Sequence, residues 1–251
     1  MTKNVWITGA SSGIGKALAI KFASEGWQVA ASARRENLLQ ELNKDNPKIH
    51  SFPLDVTDGS LCKKVFNNIV EKFQIIDICV FCTGIHDPQS EKKISEEKIR
   101  EIMEVNFFGT LNCIMAVNIY FREKQSGHIS IVSSVAGYRG FPAASGYCAS
   151  KAALTSLAES LYFDFKRYNV RVSLISPGFI KTPMTDKNKF PMPMIKSPEY
   201  AAEKMFIGLT KQNVFEIHFP KTLTMIMKLL KIIPNWLFFL IVGRGIKKIK
   251  L

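Results

Sequence analysis

Val5-Trp6-Ile7-Thr8-Gly9-Ala10-Ser11-Ser12-Gly13-Ile14-Gly15 reads as a short apolar strand that runs directly into a glycine-rich turn. The next residues, Lys16 to Glu25, have the spacing of a helix. A strand, a tight turn and a helix in immediate succession offer backbone N–H groups to a phosphate, and the helix N-terminus adds partial positive charge. Glycines let the backbone turn sharply and approach a ligand with no Cβ in the way. Candidate contacts here are Gly9, Ser11, Ser12, Gly13, Ile14 and Gly15.

Working outward, apolar strand patterns recur at Trp27–Ser32, Ile49–Leu54, Ile75–Phe81, Ile129–Ser133, Val170–Ser176 and Val214–Phe219. Helical patterns fall between them: Glu36–Leu42, Asp58–Phe73, Ser95 to about Tyr120, Ala149–Tyr168, and one opened by Ser197-Pro198. This alternation predicts an α/β fold, a doubly wound parallel sheet of about seven strands with helices on both faces. One domain over residues 1–216 is expected, followed by an apolar, basic extension over 217–251. No internal repeat, low-complexity tract or linker precedes residue 217.

With 251 residues, 47% apolar and 22% charged, the chain can bury a sizeable core and is not of disordered composition. Its five cysteines are scattered; Cys79 and Cys82 form a C-x-x-C only nominally, inside a strand pattern. Reduced thiols, no metal site and a cytoplasmic protein are expected, the first strand pattern starting too early for a secretory signal. The net charge is +13, yet no nucleic-acid-binding module accompanies it.

Chemistry is expected between Ser134 and Lys151. Tyr147 and Lys151 are four apart, so a helix through them puts both side chains on one face. A phenol with a pKa near ~10 is a poor proton carrier at neutral pH, and a nearby ammonium lowers that value toward useful acid–base work. Ser134 closes an apolar strand at the end where open α/β sheets hold their ligands. Asn106 lies in an apolar helix pattern, where an unbonded amide is costly; it is either a satisfied core amide or a holder of water. Ala33-Arg34-Arg35 follows the second strand, where an NAD-preferring fold would carry an acid for the ribose 2′-hydroxyl. Arg34 and Arg35 would instead grip a 2′-phosphate, or they are a solvated basic turn; their position favours NADP(H).

The chain thereby resembles the short-chain dehydrogenase/reductase family over roughly residues 3–217. The marks are Thr8-Gly9-x-x-x-Gly13-x-Gly15, Asp55, Asn106, Ser134, Tyr147-x-x-x-Lys151, and Pro177-Gly178 followed by Thr182. The resemblance implies hydride transfer between NADP(H) and a carbonyl or secondary alcohol. Tyr147 would be the acid–base residue, with Lys151 on the nicotinamide ribose and Ser134 on the substrate oxygen. Asn106 would carry a water linking Lys151 to solvent. Asp55, Val56, Gly84, Pro177, Gly178, Ile180 and Thr182 would complete the cofactor contacts. Two departures are Phe81-Cys82-Thr83-Gly84 in place of Asn-Asn-Ala-Gly, and Ser12 where many NADP-preferring members carry a basic residue.

A substrate lid is expected over 183–196, where three prolines oppose a regular helix and Met184, Phe190, Met192 and Met194 offer adaptable apolar contact. With Ile85, Tyr138 and Phe141 nearby, an apolar substrate is expected. Residues 217–251 hold seven Lys or Arg and no Asp or Glu, and the helix pattern at 222–233 is apolar nearly all round. Its cover is the protein's own cleft, a partner subunit of a homodimer or homotetramer, or a membrane surface; Trp236 and the terminal lysines favour peripheral membrane contact through 222–251. The rival to an enzyme is an idle, cofactor-sensing binding protein on the same fold.

Overall fold

A computed structural model describes residues 3–88 and 93–248. Its strands are β1 (Asn4–Thr8), β2 (Gln28–Ser32), β3 (Ile49–Ser51), β4 (Ile78–Phe81), β5 (Gly127–Val132), β6 (Val170–Pro177) and β7 (Glu216–Phe219). They form one parallel sheet in the order β3-β2-β1-β4-β5-β6-β7. The order reverses between β1 and β4, so the connections leaving these neighbours diverge and open a crevice at their C-terminal ends.

Helices α1 (Gly13–Ser24), α2 (Glu36–Asp45) and α7 (Pro198–Thr210) cover one face, and α3 (Gly59–Phe73), α5 (Gly109–Lys124) and α6 (Ser145–Lys166) cover the other. Strand alternation sorts the core accordingly. Val5, Ile7, Val29, Ala31 and Val80 point toward α1 and α7, while Trp6, Ala30, Cys79 and Phe81 point toward α3 and α5. Cys79 and Cys82 therefore belong to opposite faces and do not act as a pair.

Several elements differ from the sequence pattern. β3 ends at Ser51, yet Phe52 N and Leu54 N still donate to the Ala31 (2.9 Å) and Ala33 (3.0 Å) carbonyls, so backbone contact with β2 runs on to Leu54. Helix α6 starts at Ser145 rather than Ala149, which carries Tyr147 into its first turn. The single helix expected from Ser95 is α4 (Glu96–Met103), a π-helical turn at Glu104–Phe108, and α5. Among the described residues, Glu96–Lys124 is the one helical stretch long and apolar enough to cross a membrane. It buries Cys113, Ile114, Val117 and Phe121 against the sheet instead.

The chain passes residue 216 inside β7, which pairs with β6, so the first part of the 217–251 extension lies in the sheet. Beyond it come α8 (Lys221–Ile232) and α9 (Asn235–Lys248); Ile249, Lys250 and Leu251 lie outside the described residues, as do Met1 and Thr2. Leu223 and Met227 of α8 turn inward onto Val135 and Tyr138. A Cβ at Gly178 would lie 2.6 Å from Leu223 Cδ2, so the absence of a side chain there lets Leu223 pack closely where α8 meets the end of β6. Arg139 ties the two helices down: its guanidinium donates to the carbonyls of Leu230 (3.0 Å) and Ile233 (2.5 Å) and to Asn235 Oδ1 (2.6 Å), and it lies 4.7 Å from the Phe238 ring centre. One face of 222–233 is thus covered by the chain's own loop, and the other is exposed.

Candidate active site

The crevice at the β1/β4 switch is a cleft of about 510 Å³. Its floor is the glycine turn. Gly9 (φ +70°) and Gly13 (φ +54°) occupy the left-handed region, where a Cβ is disfavoured. A Cβ at Gly15 would stand 2.3 Å from the Gly9 carbonyl oxygen, so the turn closes only because that atom is missing. Thr8 Oγ1 accepts from the amides of Cys82 (3.1 Å) and Thr83 (3.4 Å). A hydroxyl on β1 therefore fastens the end of β4 through its backbone amides.

The far wall comes from β5 and α6. Ser134 lies just beyond the end of β5 and caps the 3₁₀ turn at Val135–Gly137, its Oγ accepting from Ala136 N (3.1 Å). Ser133 Oγ donates to the Lys151 carbonyl (2.8 Å), and a Cβ at Gly137 would lie 2.8 Å from that same oxygen. The loop and the helix are thus in backbone contact, which fixes Ser134 relative to Tyr147 and Lys151. Those two lie one turn apart on α6, with Lys151 Nζ 5.7 Å from the Tyr147 ring centre. The ammonium is 4% exposed and donates to the Val132 carbonyl (2.9 Å). Burial pushes its pKa down to about 8, because water no longer solvates the charge.

Asn106 sits in the π-turn behind this wall and does not line the cleft. Its Oδ1 accepts from Ile85 N (2.7 Å), and its Nδ2 donates to Ile85 O (3.0 Å) and Ser150 Oγ (3.0 Å). The side chain is fully used as a bridge between the loop after β4 and α6. The remaining expected contacts meet in the cleft. Asp55 holds Thr57 through its amide (3.0 Å) and hydroxyl (2.8 Å), with Val56 beside it. Gly84, Pro177, Gly178, Ile180 and Thr182 line the walls. Arg34 and Arg35 stand at the mouth; Arg35 donates to Ser11 Oγ (2.8 Å) and Ser12 Oγ (2.7 Å), laying its guanidinium across the glycine turn. That puts a cation at the Ser12 position, where the sequence lacks one.

Of the expected apolar contacts, Ile85 and Met184 line the cleft. Tyr138 and Phe141 do not; they pack beneath α8 and α9, because their loop turns toward Leu223 and Phe238. Residues 183–196, expected as a lid, contain no regular helix, only a 3₁₀ turn at Thr185–Lys187. Two further cleft residues follow β4: His86, which no sequence pattern marks, and Cys82 of the Phe81–Gly84 departure. His86 stacks on Tyr147 with ring centres 4.4 Å apart and planes 30° apart. Cys82 is a thiol that burial pushes up to about 11, and it stays protonated at neutral pH.

Residues 3–211 match the family model described as short chain dehydrogenase. The chain belongs to the short-chain dehydrogenase/reductase family. An uncharacterized oxidoreductase of Myxococcus xanthus is 34% identical over 236 residues, covering 92% of this chain and 93% of that protein. A 3-oxoacyl-(acyl-carrier-protein) reductase of Thermotoga maritima is 36% identical over 185 residues, 72% of this chain and 75% of its own. The crystal structure of a short-chain dehydrogenase from Streptomyces avermitilis superposes with a TM-score of 0.84 at 25% identity, covering 98% of both chains. This short-chain dehydrogenase/reductase is accordingly an oxidoreductase that works with a nicotinamide cofactor on a small molecule.

Proposed function

We propose that the protein is an NADP(H)-dependent reductase, or alcohol dehydrogenase, acting on a carbonyl or secondary alcohol of an apolar, lipid-like molecule. The observation that carries it is the convergence of Tyr147, Lys151 and Ser134 on one wall of a cleft whose floor is the Gly9–Gly15 turn. That turn fits a pyrophosphate: it leaves unfilled the space a Cβ would take and presents the N-terminus of α1. When bound, the nicotinamide supplies or accepts hydride.

The chain's own residues do the rest. Ser134 Oγ orients the substrate oxygen, and Tyr147 gives that oxygen its proton or takes it back. Lys151 holds the nicotinamide ribose and, as an ammonium one turn along the same helix, favours the phenolate between turnovers. Asn106 keeps Lys151 in place by joining the loop after β4 to α6, and its backbone is the candidate for holding a relay water. Arg35, backed by Arg34, favours a 2′-phosphate over a bare ribose hydroxyl. Ile85 and Met184 give the mouth an apolar lining. Met115, Ile119 and Phe163 leave apolar surface exposed on α5 and α6, which suits a cytoplasmic homodimer or homotetramer.

NADPH oxidation across a panel of aldehydes and ketones, repeated with Tyr147→Phe, tests the proposal. Turnover should fall at least ~10³-fold with NADPH affinity kept. Cofactor binding by both proteins with no turnover on any carbonyl would instead favour the idle, cofactor-sensing alternative, whose support is the altered Phe81–Gly84 segment.

A further inference from the structure

Helices α8 and α9 carry apolar side chains on both sides. The inward side is accounted for by Leu223, Met227 and Phe238, which are buried. The outward side is not: Ile226, Leu229 and Ile232 follow one another at helical spacing on α8, and Trp236, Phe239 and Leu240 do so on α9. Ile232 is 78% exposed, Trp236 68% and Phe239 64%. Isolated apolar residues on a surface need no explanation, but runs on two consecutive helices do.

We propose that the outward face of α8 and α9 is an in-plane docking surface for a membrane bearing anionic lipid headgroups. The argument rests on charge together with apolarity. Residues 217–251 contain seven Lys or Arg and no acid, and one of the seven, Lys228, is paired with Glu216 at 2.6 Å. Of the other described cations, Lys221 Nζ lies 3.1 Å from His218 Nε2, Lys231 Nζ lies 5.9 Å from the Tyr138 ring centre, and Arg244 is exposed on α9. An amphipathic helix of this kind lies along a bilayer with its apolar side sunk to the acyl boundary and its cations at the headgroups. Each cation near an anionic surface adds to the attraction, and an exposed tryptophan such as Trp236 favours the headgroup level.

A second copy of the chain fits this face poorly. A twofold contact sets the same patch against itself, bringing two sets of like charges together with no acid in the segment to offset them. Arg139 and Leu223 hold the inward side fixed, so the outward face is presented as it stands and no refolding is required for contact.

Flotation of the full-length protein with phosphatidylcholine vesicles, with and without about a third phosphatidylglycerol, tests the inference. The vesicle-bound fraction should rise at least ~10-fold with the anionic lipid and fall back at high salt. Leu229→Glu combined with Trp236→Glu, both exposed, should lower it at least ~10-fold while NADPH oxidation of a water-soluble ketone and the melting temperature are unchanged. Three results would each overturn it: no flotation with anionic vesicles at low salt, equal flotation with both vesicle types, or a dimer that the double substitution converts to monomer. Turnover of the soluble ketone is measured in the same samples, so failure of the surface and failure of the chemistry are read separately.

Discussion

Lys151 shows the conflict between folding and chemistry at a single residue. Lowering an amine from 10.5 to about 8 by burial corresponds to a cost of roughly 3 kcal/mol to keep it charged. Lys151→Met removes that cost but orphans the Val132 carbonyl, which takes back ~1–2 kcal/mol. The variant should therefore be ~1–2 kcal/mol more stable than the parent at pH 7 in denaturant melts, and inactive. The sign with pH follows from the depressed value. Below about 8 both the folded and unfolded amines are charged and the full cost applies; between about 8 and 10.5 the folded amine is already neutral, so the parent gains and the difference shrinks. Arg35 bears on cofactor choice. Arg35→Glu should cut kcat/KM for NADPH by about 10-fold or more, through repulsion of a 2′-phosphate, and leave NADH within ~3-fold. An equal loss with both cofactors would mean that Arg35 serves only to brace Ser11 and Ser12.

Among the elements, the glycine turn and α6 bear most on the site. Gly15→Ala would force a methyl against the Gly9 carbonyl, 2.3 Å away. About 2–3 kcal/mol of stability should be lost, with NADPH no longer raising the melting temperature. A melt unchanged from the parent would show that the turn can open. Strand–turn–helix order was legible here because glycine, alternation and helical spacing are local signals. Start points were less so: α6 begins one turn before its apolar stripe, at Ser145-Gly146, where small residues give periodicity nothing to report. The π-turn at Asn106 left no trace either, since one extra residue in a helix changes spacing by less than an apolar pattern resolves.

Across the whole molecule, the motifs gave the sheet, the switch-point cleft and most of its lining, because those residues sit at strand ends whose place the fold dictates; Leu54, Val105, Val132, Ser133 and Thr185 line it without a motif to mark them. Contacts between distant segments were not legible. Nothing in the order of residues says that His86 stacks on Tyr147, or that Tyr138 and Phe141 turn away from the cleft to meet a helix some 80 to 100 residues later. Arg139 is the plainest case, a loop residue whose partners are the carbonyls of Leu230 and Ile233. It stands on the connection between Ser134 and Tyr147, the two hydroxyls proposed to meet the substrate oxygen. Shortening the protein to Lys211, where the family's shared pattern stops, would therefore not give a trimmed catalyst. That connection would lose the ballast that keeps it still, and the reaction centre would slacken from a cut made far along the chain.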